Sequence, residues 1–170
     1  MGNYFIISTK SLPSGSSVTF KDSSFFLRNG KNAIFPSSSK ILARSAEQAP
    51  SRQRFKERPP VYFEELGLLV KFGTEPKVNV AEGQCLWTLR QVLPQIPVPE
   101  VFGWTQDENF TYLFMELVHG IRLDEIWNVL SRLERDQICI QLRSMLEELR
   151  CLRQPPVDSF VGRYLSLTKT

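Results

Sequence analysis

Between Val61 and Leu117 the spacing of apolar residues passes from strand-like to helix-like and back, which narrows the folds open to this chain. Val61-Tyr62-Phe63 and residues 66–72 (LGLLVKF) read as two strands, with Glu64-Glu65 as a tight turn between them. Pro76 closes the second strand. From residue 80 to 93 the period is helical: Leu86, Leu89 and Leu93 share a face with Cys85 alongside, Asn79 is placed as N-cap, and Pro94 lies just beyond the end. Residues 98–104 (VPEVFGW) form a third strand, and Pro97 and Pro99 predict that it enters at a sheet edge. Asp107-Glu108-Asn109 makes a turn, and residues 110–117 (FTYLFMEL) return as a fourth strand. The succession strand, strand, helix, strand, strand predicts an α+β fold, an antiparallel sheet with one helix between its second and third strands.

After Gly120 the period changes again. Leu123, Ile126, Trp127 and Leu130 predict a short amphipathic helix, and Ser131-x-x-Glu134 is a capping-box signature for a longer one. The longer helix carries a stripe of Ile138, Leu142, Met145, Leu149 and Leu152 and is expected to stop at Pro155-Pro156. Two heptads are too few for a coiled coil, so the stripe reads as a core-facing helix surface. Residues 158–170 offer no segment to pack against.

Residues 1–60 are different in kind. SLPSGSS (11–17) and PSSS (36–39) have loop composition, Asn29-Gly30 is a turn signal, and residues 46–60 read as a linker. Phe25-Phe26-Leu27 and Ala33-Ile34-Phe35 are short apolar patches, read as edge strands or a docking element. Residues 1–60 hold ten Lys/Arg against three acids, a net +7, whereas residues 61–170 hold eleven against fifteen, a net −4. The bases are mostly scattered singly, and no zinc-finger or RNA-binding signature accompanies them, so the arm reads as a solvated tether and nucleic acid is not expected as a partner. The division expected is 1–60 as a basic, serine-rich arm and linker, 61–118 as the sheet domain, and 119–170 as a connection followed by helices. No apolar run approaches the ~20 residues of a membrane span, and the N-terminus lacks a basic signal-peptide n-region. Three widely spaced cysteines without a CxxC pair, and one histidine, His119, predict neither a disulfide framework nor a metal centre. These features point to a reducing, cytoplasmic setting with no membrane partner.

Lys71 is the most informative position. It lies inside the strand LLVKF and alternates onto one face with Leu69, while Leu68, Val70 and Phe72 take the other. A lysine there either snorkels at an edge or meets a partner. Glu82 is the natural partner, since Leu86, Leu89 and Leu93 follow it at +4, +7 and +11 and aim its carboxylate along the apolar face. Asn79-x-x-Glu82 fits a capping box equally well, with the acid reaching back to the backbone. At the end of the fourth strand, Met115-Glu116-Leu117-Val118-His119-Gly120 passes from strand to helix, either as a hinge offering backbone groups to a ligand or as a plain connection bending at Gly120. His119 stands without a nucleophile or acid constellation, so no catalytic residue is assigned.

Taken in order, VYFEELGLLVKFG (61–73), AEGQCLW (81–87), VPEVFGW (98–104), MELVHG (115–120) and LRCLRQ (149–154) resemble fungal proteins with an aminoglycoside phosphotransferase (choline-kinase-like) domain over about residues 60–162. The resemblance implies a protein-kinase-like small lobe, a hinge and two helices of an incomplete larger lobe. It also implies ATP with magnesium as cofactor and a small-molecule hydroxyl as phosphoryl acceptor. Carried over, Lys71 would hold the α/β-phosphates and Glu82 would fix Lys71. The backbone carbonyl of Glu116 and amide of Val118, behind Met115, would grip the adenine. The family's His-x-Asp-x4-Asn loop has no counterpart in these residues, and Gly67 and Gly73 stand alone where a glycine-rich phosphate loop would be sought. The expectation is therefore a family member that is catalytically incomplete as given. The alternative is a non-catalytic binding or regulatory module that docks a partner, or a second copy of itself, through the 138–152 stripe.

Overall fold

The structure, a computed structural model, describes residues 5–48, 59–107 and 110–153. In chain order its strands are β1 (Phe5–Ile6), β2 (Ser17–Thr19), β3 (Val61–Phe63), β4 (Leu68–Gly73), β5 (Val101–Asp107), β6 (Phe110–Glu116) and β7 (Leu152–Arg153). The helices are α1 (Ser24–Asn29), α2 (Ser38–Gln48), α3 (Val80–Val92), α4 (Leu123–Ile126) and α5 (Arg132–Leu149). The described residues fall into two compact units, one within 13–90 and 97–118, the other within 5–12, 91–96 and 119–153.

The first unit is a five-stranded antiparallel sheet in the order β2-β5-β6-β4-β3. Alternation along β4 sends Leu68, Val70 and Phe72 to one face and Leu69, Lys71 and Gly73 to the other. On the first face those residues join Val61, Phe63, Phe102, Tyr112 and Phe114, with Phe25, Phe26 and Ile41 from α1 and α2. On the second face Val101, Trp104, Leu113 and Met115 pack with Val78, Leu69 and Val80, and with Leu86 from α3. The sheet is thus covered on both sides, and the succession strand, strand, helix, strand, strand is present from Val61 onward.

The expectation of a solvated N-terminal arm fails over residues 13–48. Phe25, Phe26 and Ile41 are almost completely buried, each worth about 1.5–3 kcal/mol against exposure, enough to hold a serine-rich segment on the sheet. Phe25-Phe26 is not an edge strand but part of α1. Adjacent side chains on a helix diverge by only about a third of a turn, so both rings reach one cluster, whereas a strand would send them to opposite faces. Residues 33–35 form no regular element, though Phe35 stacks on Phe114 with ring centroids 4.2 Å apart. Linker residues 49–58 lie outside the described residues.

Nor is β5 an edge. Pro97 and Pro99 precede its first residue and remove no ladder bond, and β2 pairs along its outer side, Ser17 opposite Thr105 and Thr19 opposite Gly103. A Cβ on Gly103 would overlap the Val18 carbonyl oxygen, so only glycine lets the two backbones approach at this bulge.

In the second unit β1 pairs in parallel with β7. The capping box opening α5 is complete: the Glu134 amide donates to Ser131 Oγ at 3.3 Å, and the Ser131 amide donates to the Glu134 carboxylate at 2.8 Å. Because Ser131 must be extended to cap α5, the preceding helix cannot run through to Leu130, and α4 ends at Ile126. The apolar stripe also ends sooner than expected. The Phe5 amide donates to the Cys151 carbonyl and the Ile7 amide to the Arg153 carbonyl, so pairing with β1 draws Leu152 out of the helix, and α5 stops at Leu149 before the prolines. No residue of α5 is buried; Ile138, Met145 and Leu149 are half-buried, and Leu142 is exposed. Residues 158–170 lie outside the described residues.

Candidate functional site

Lys71 sits on β4, flanked by β6 and β3, opposite Leu113 of β6. Its stem rises on the face covered by α3, where its neighbours along the strand are Leu69 and Gly73. Across that face stands the first turn of α3. The Asn79 side chain caps this helix by accepting from the Glu82 amide at 3.0 Å. That leaves the Glu82 carboxylate free of the backbone, and both of its oxygens accept from Lys71 Nζ at 2.7 Å. The two roles that Asn79-x-x-Glu82 leaves open in the sequence are therefore divided: asparagine caps the helix and glutamate binds the lysine. Each side chain keeps about a third of its surface in solvent, 35% for Lys71 and 34% for Glu82. The pair is thus neither a mobile surface contact nor sealed away from a ligand.

The approach of α3 to the sheet is set by Gly83, the residue after Glu82. A Cβ there would stand 3.1 Å from Trp104 Cε3 and 3.2 Å from Leu113 Cδ2, so the helix backbone lies directly on two buried side chains. One turn on from Glu82, Cys85 is half-buried. Burial, with a smaller contribution from the Glu82 charge, pushes its thiol above the ordinary range and keeps it protonated.

The end of β6 lies beside this pair. Met115 is buried opposite Leu69, two register positions from Lys71, or about 7 Å along the sheet. The Glu116 amide donates to the Glu100 carbonyl at 2.8 Å, and its carboxylate accepts from the Glu100 amide at 3.1 Å. The Leu117 amide donates to the Gly67 carbonyl at 3.1 Å. The strand end is therefore pinned, and Val118 beyond it is 64% exposed. No family model, curated protein or solved structure matches the chain.

Of the five residues singled out in the sequence, the structure joins Lys71 to Glu82 and sets Met115 and Glu116 on the neighbouring strand end, with Val118 following in open chain. Chemically the site offers one oriented ammonium beside a strand end with an exposed continuation. Among the described residues no three His, Cys, Asp or Glu side chains gather where they could hold a metal ion. No helix among them is long and apolar enough to cross a membrane.

Sequence reasoning missed the residues that hold α3 in place. The Gln84 amide donates to the Pro13 carbonyl at 2.7 Å, and Trp104 Nε1–H donates to the Gly15 carbonyl at 3.0 Å. Phe20 stacks on Trp87 of α3 and meets Trp104 of β5 edge-on. Their only signal in the sequence is the β-rich triplet Val18-Thr19-Phe20, hidden behind SLPSGSS.

Proposed function

We propose that the chain carries a nucleotide-binding small lobe of the aminoglycoside phosphotransferase, protein-kinase-like kind, in which Lys71 binds phosphate oxygens of ATP. One observation carries this reading: a lysine on an inner strand of the sheet, gripped through both carboxylate oxygens by a glutamate on the helix packed on that face. Such a strand-lysine to helix-glutamate pair orients the phosphates of ATP in kinase-like folds. A partly exposed ammonium held at a fixed point can exchange part of its contact with Glu82 for a phosphate oxygen, and hydrogen bonds between charged groups are the strong ones. The strand-strand-helix-strand-strand order and the pinned end of β6 beside Lys71 are consistent with it. Backbone groups of Glu116 and Val118 behind Met115 would then take the adenine. Magnesium would arrive on the phosphates of the nucleotide and supply charge neutralisation there; Lys71 orients the phosphate chain, and Glu82 holds Lys71.

Phosphoryl transfer is not part of the proposal, because no His-x-Asp-x4-Asn sequence occurs in these 170 residues and no general base is assigned. A thermal-shift titration tests the reading: ATP with magnesium should raise the melting temperature in a concentration-dependent way, while adenosine alone should do so less. Incubation with aminoglycosides or choline-like alcohols should yield no phosphorylated product above buffer. Turnover abolished by Lys71→Met would require a catalytic residue not identified here.

A second reading, a docking module that associates through α5, is favoured by Leu142 and Leu146, one turn apart along the apolar stripe and 46% and 54% exposed. Exposed apolar side chains that adjoin on one helix face are the kind of patch that marks an interaction site.

A further inference from the structure

We infer that residues 13–20 are a strap that positions α3, so that Phe20 and Gln84 act through the helix as positioning residues for the Lys71–Glu82 pair. Contacts at both ends and in the middle tie the strap to both sides of the joint. At one end the Pro13 carbonyl accepts from Gln84, two residues beyond Glu82 on α3. In the middle the Gly15 carbonyl accepts from Trp104 Nε1, and the Ser16 carbonyl accepts from the Gln106 amide at 2.7 Å. At the other end Phe20 fills the corner between helix and sheet, its ring 5.9 Å from Trp87 and 5.7 Å from Trp104 by centroid. The Phe20 amide is itself anchored, donating to the Phe102 carbonyl at 2.9 Å.

Val80 and Leu86 seat α3 on the sheet's second-face cluster. Gly83 gives α3 a close seat on Trp104 and Leu113, but it contributes no side chain that would resist sliding or tilting. The strap adds resistance on the side of α3 that carries Gln84 and Trp87, next to Glu82. Glu82 reaches Lys71 from the helix's first turn, so a small rotation of α3 separates carboxylate from ammonium while leaving the sheet intact. The strap therefore sets how firmly Lys71 is held. Its consequence for ATP rests on the proposed nucleotide reading; its effect on Lys71 does not.

The test measures Lys71 directly, without nucleotide, by the rate at which a small amine-acylating reagent labels it, read peptide by peptide in the mass spectrometer, with exposed Lys31 as internal reference. Three variants disturb the strap and leave Lys71 and Glu82 untouched. Gln84→Ala removes one tie, Phe20→Ala empties the corner, and Gly103→Ala drives a methyl into the Val18 carbonyl of β2. Lys71 labelling relative to Lys31 should rise about fivefold in Phe20→Ala and Gly103→Ala and less in Gln84→Ala, the range expected for release of a partly exposed ion pair. Phe20→Tyr, which keeps the ring, should restore the wild-type rate. Should Phe20→Ala or Gly103→Ala fail to fold, Gln84→Ala with Phe20→Tyr decides the matter, since one removes a single hydrogen bond and the other none. Unchanged Lys71 labelling in the folded variants overturns the inference. So does a rise shared equally by Lys31 and the other lysines, which would report general loosening. A wild-type chain that binds no ATP but shows this labelling pattern would retain the strap and lose the nucleotide reading.

Discussion

Replacing Gly83 by alanine sets two opposing effects against each other at the joint under Glu82. In an exposed helix interior the change would stabilise the protein by about 1 kcal/mol, because alanine loses less backbone freedom on folding. Here the added methyl would stand 3.1 Å from the Trp104 ring and 3.2 Å from a Leu113 methyl, closer than ordinary contact. Neither neighbour can retreat, since both side chains are fully buried and Trp104 is tied through Nε1 to the Gly15 carbonyl. Forcing a methyl into a filled core costs about 1–3 kcal/mol. The balance is a net loss of roughly 0–2 kcal/mol, centred near 1, the opposite sign to the propensity effect. Urea unfolding with an unchanged slope and a lowered midpoint would register it. Because the helix must move outward to accept the methyl, Lys71 labelling should rise in the same variant. A Gly83→Ala protein stabilised by about 1 kcal/mol, with Lys71 as protected as before, would refute the claim that close packing at this glycine sets the distance from Glu82 to Lys71.

Three further outcomes follow from particular side chains. Hydrogen bonds from the Ser131 hydroxyl and amide hold the Glu134 carboxyl below its ordinary range, so the cap's contribution is complete above the unfolded glutamate pKa and is lost as pH falls through the folded value; amide exchange in the first turn of α5 should speed up on acidification and stay slow near neutrality. The raised Cys85 thiol should be alkylated by iodoacetamide at pH 8 far more slowly than exposed Cys139, and equal rates would contradict the burial assigned to it. If α5 associates through its apolar side chains, sedimentation at micromolar concentration should show self-association that Leu142→Glu abolishes, whereas a monomer at all concentrations would remove the docking reading.

What could be read from the sequence was governed by range. The strands around Lys71, α3 and the Ser131–Glu134 cap are written in local periods and local hydrogen bonds, and these elements stand close to where the spacing places them. The Lys71–Glu82 contact was legible because a charged residue in an apolar strand and a carboxylate on an apolar helix face each demand a partner. The N-terminal segment was not legible in the same way. Its serines and glycines carry loop composition, yet Phe25, Phe26 and Ile41 reach the sheet through contacts some 20 to 90 residues distant in sequence, which no local pattern encodes. The same holds for β2, whose three residues pair with Gly103 to Thr105, where the Val18 carbonyl comes too close to Gly103 for any Cβ. Proline positions misled at β5 because they abut the strand without entering it. The end of α5 was misjudged because pairing with Phe5–Ile6 competes for the residues that would have continued the helix.

Equilibrium titration of the purified chain with ATP and magnesium, by calorimetry or a fluorescent ATP analogue, is the most direct test of whether Lys71 is a phosphate-binding lysine. Wild-type protein should bind in a saturable, one-to-one fashion. Lys71→Met should weaken binding by about tenfold or more, the loss expected for one charged hydrogen bond to phosphate. Binding by wild type that survives Lys71→Met unchanged, or no binding by a folded wild-type chain, would contradict it.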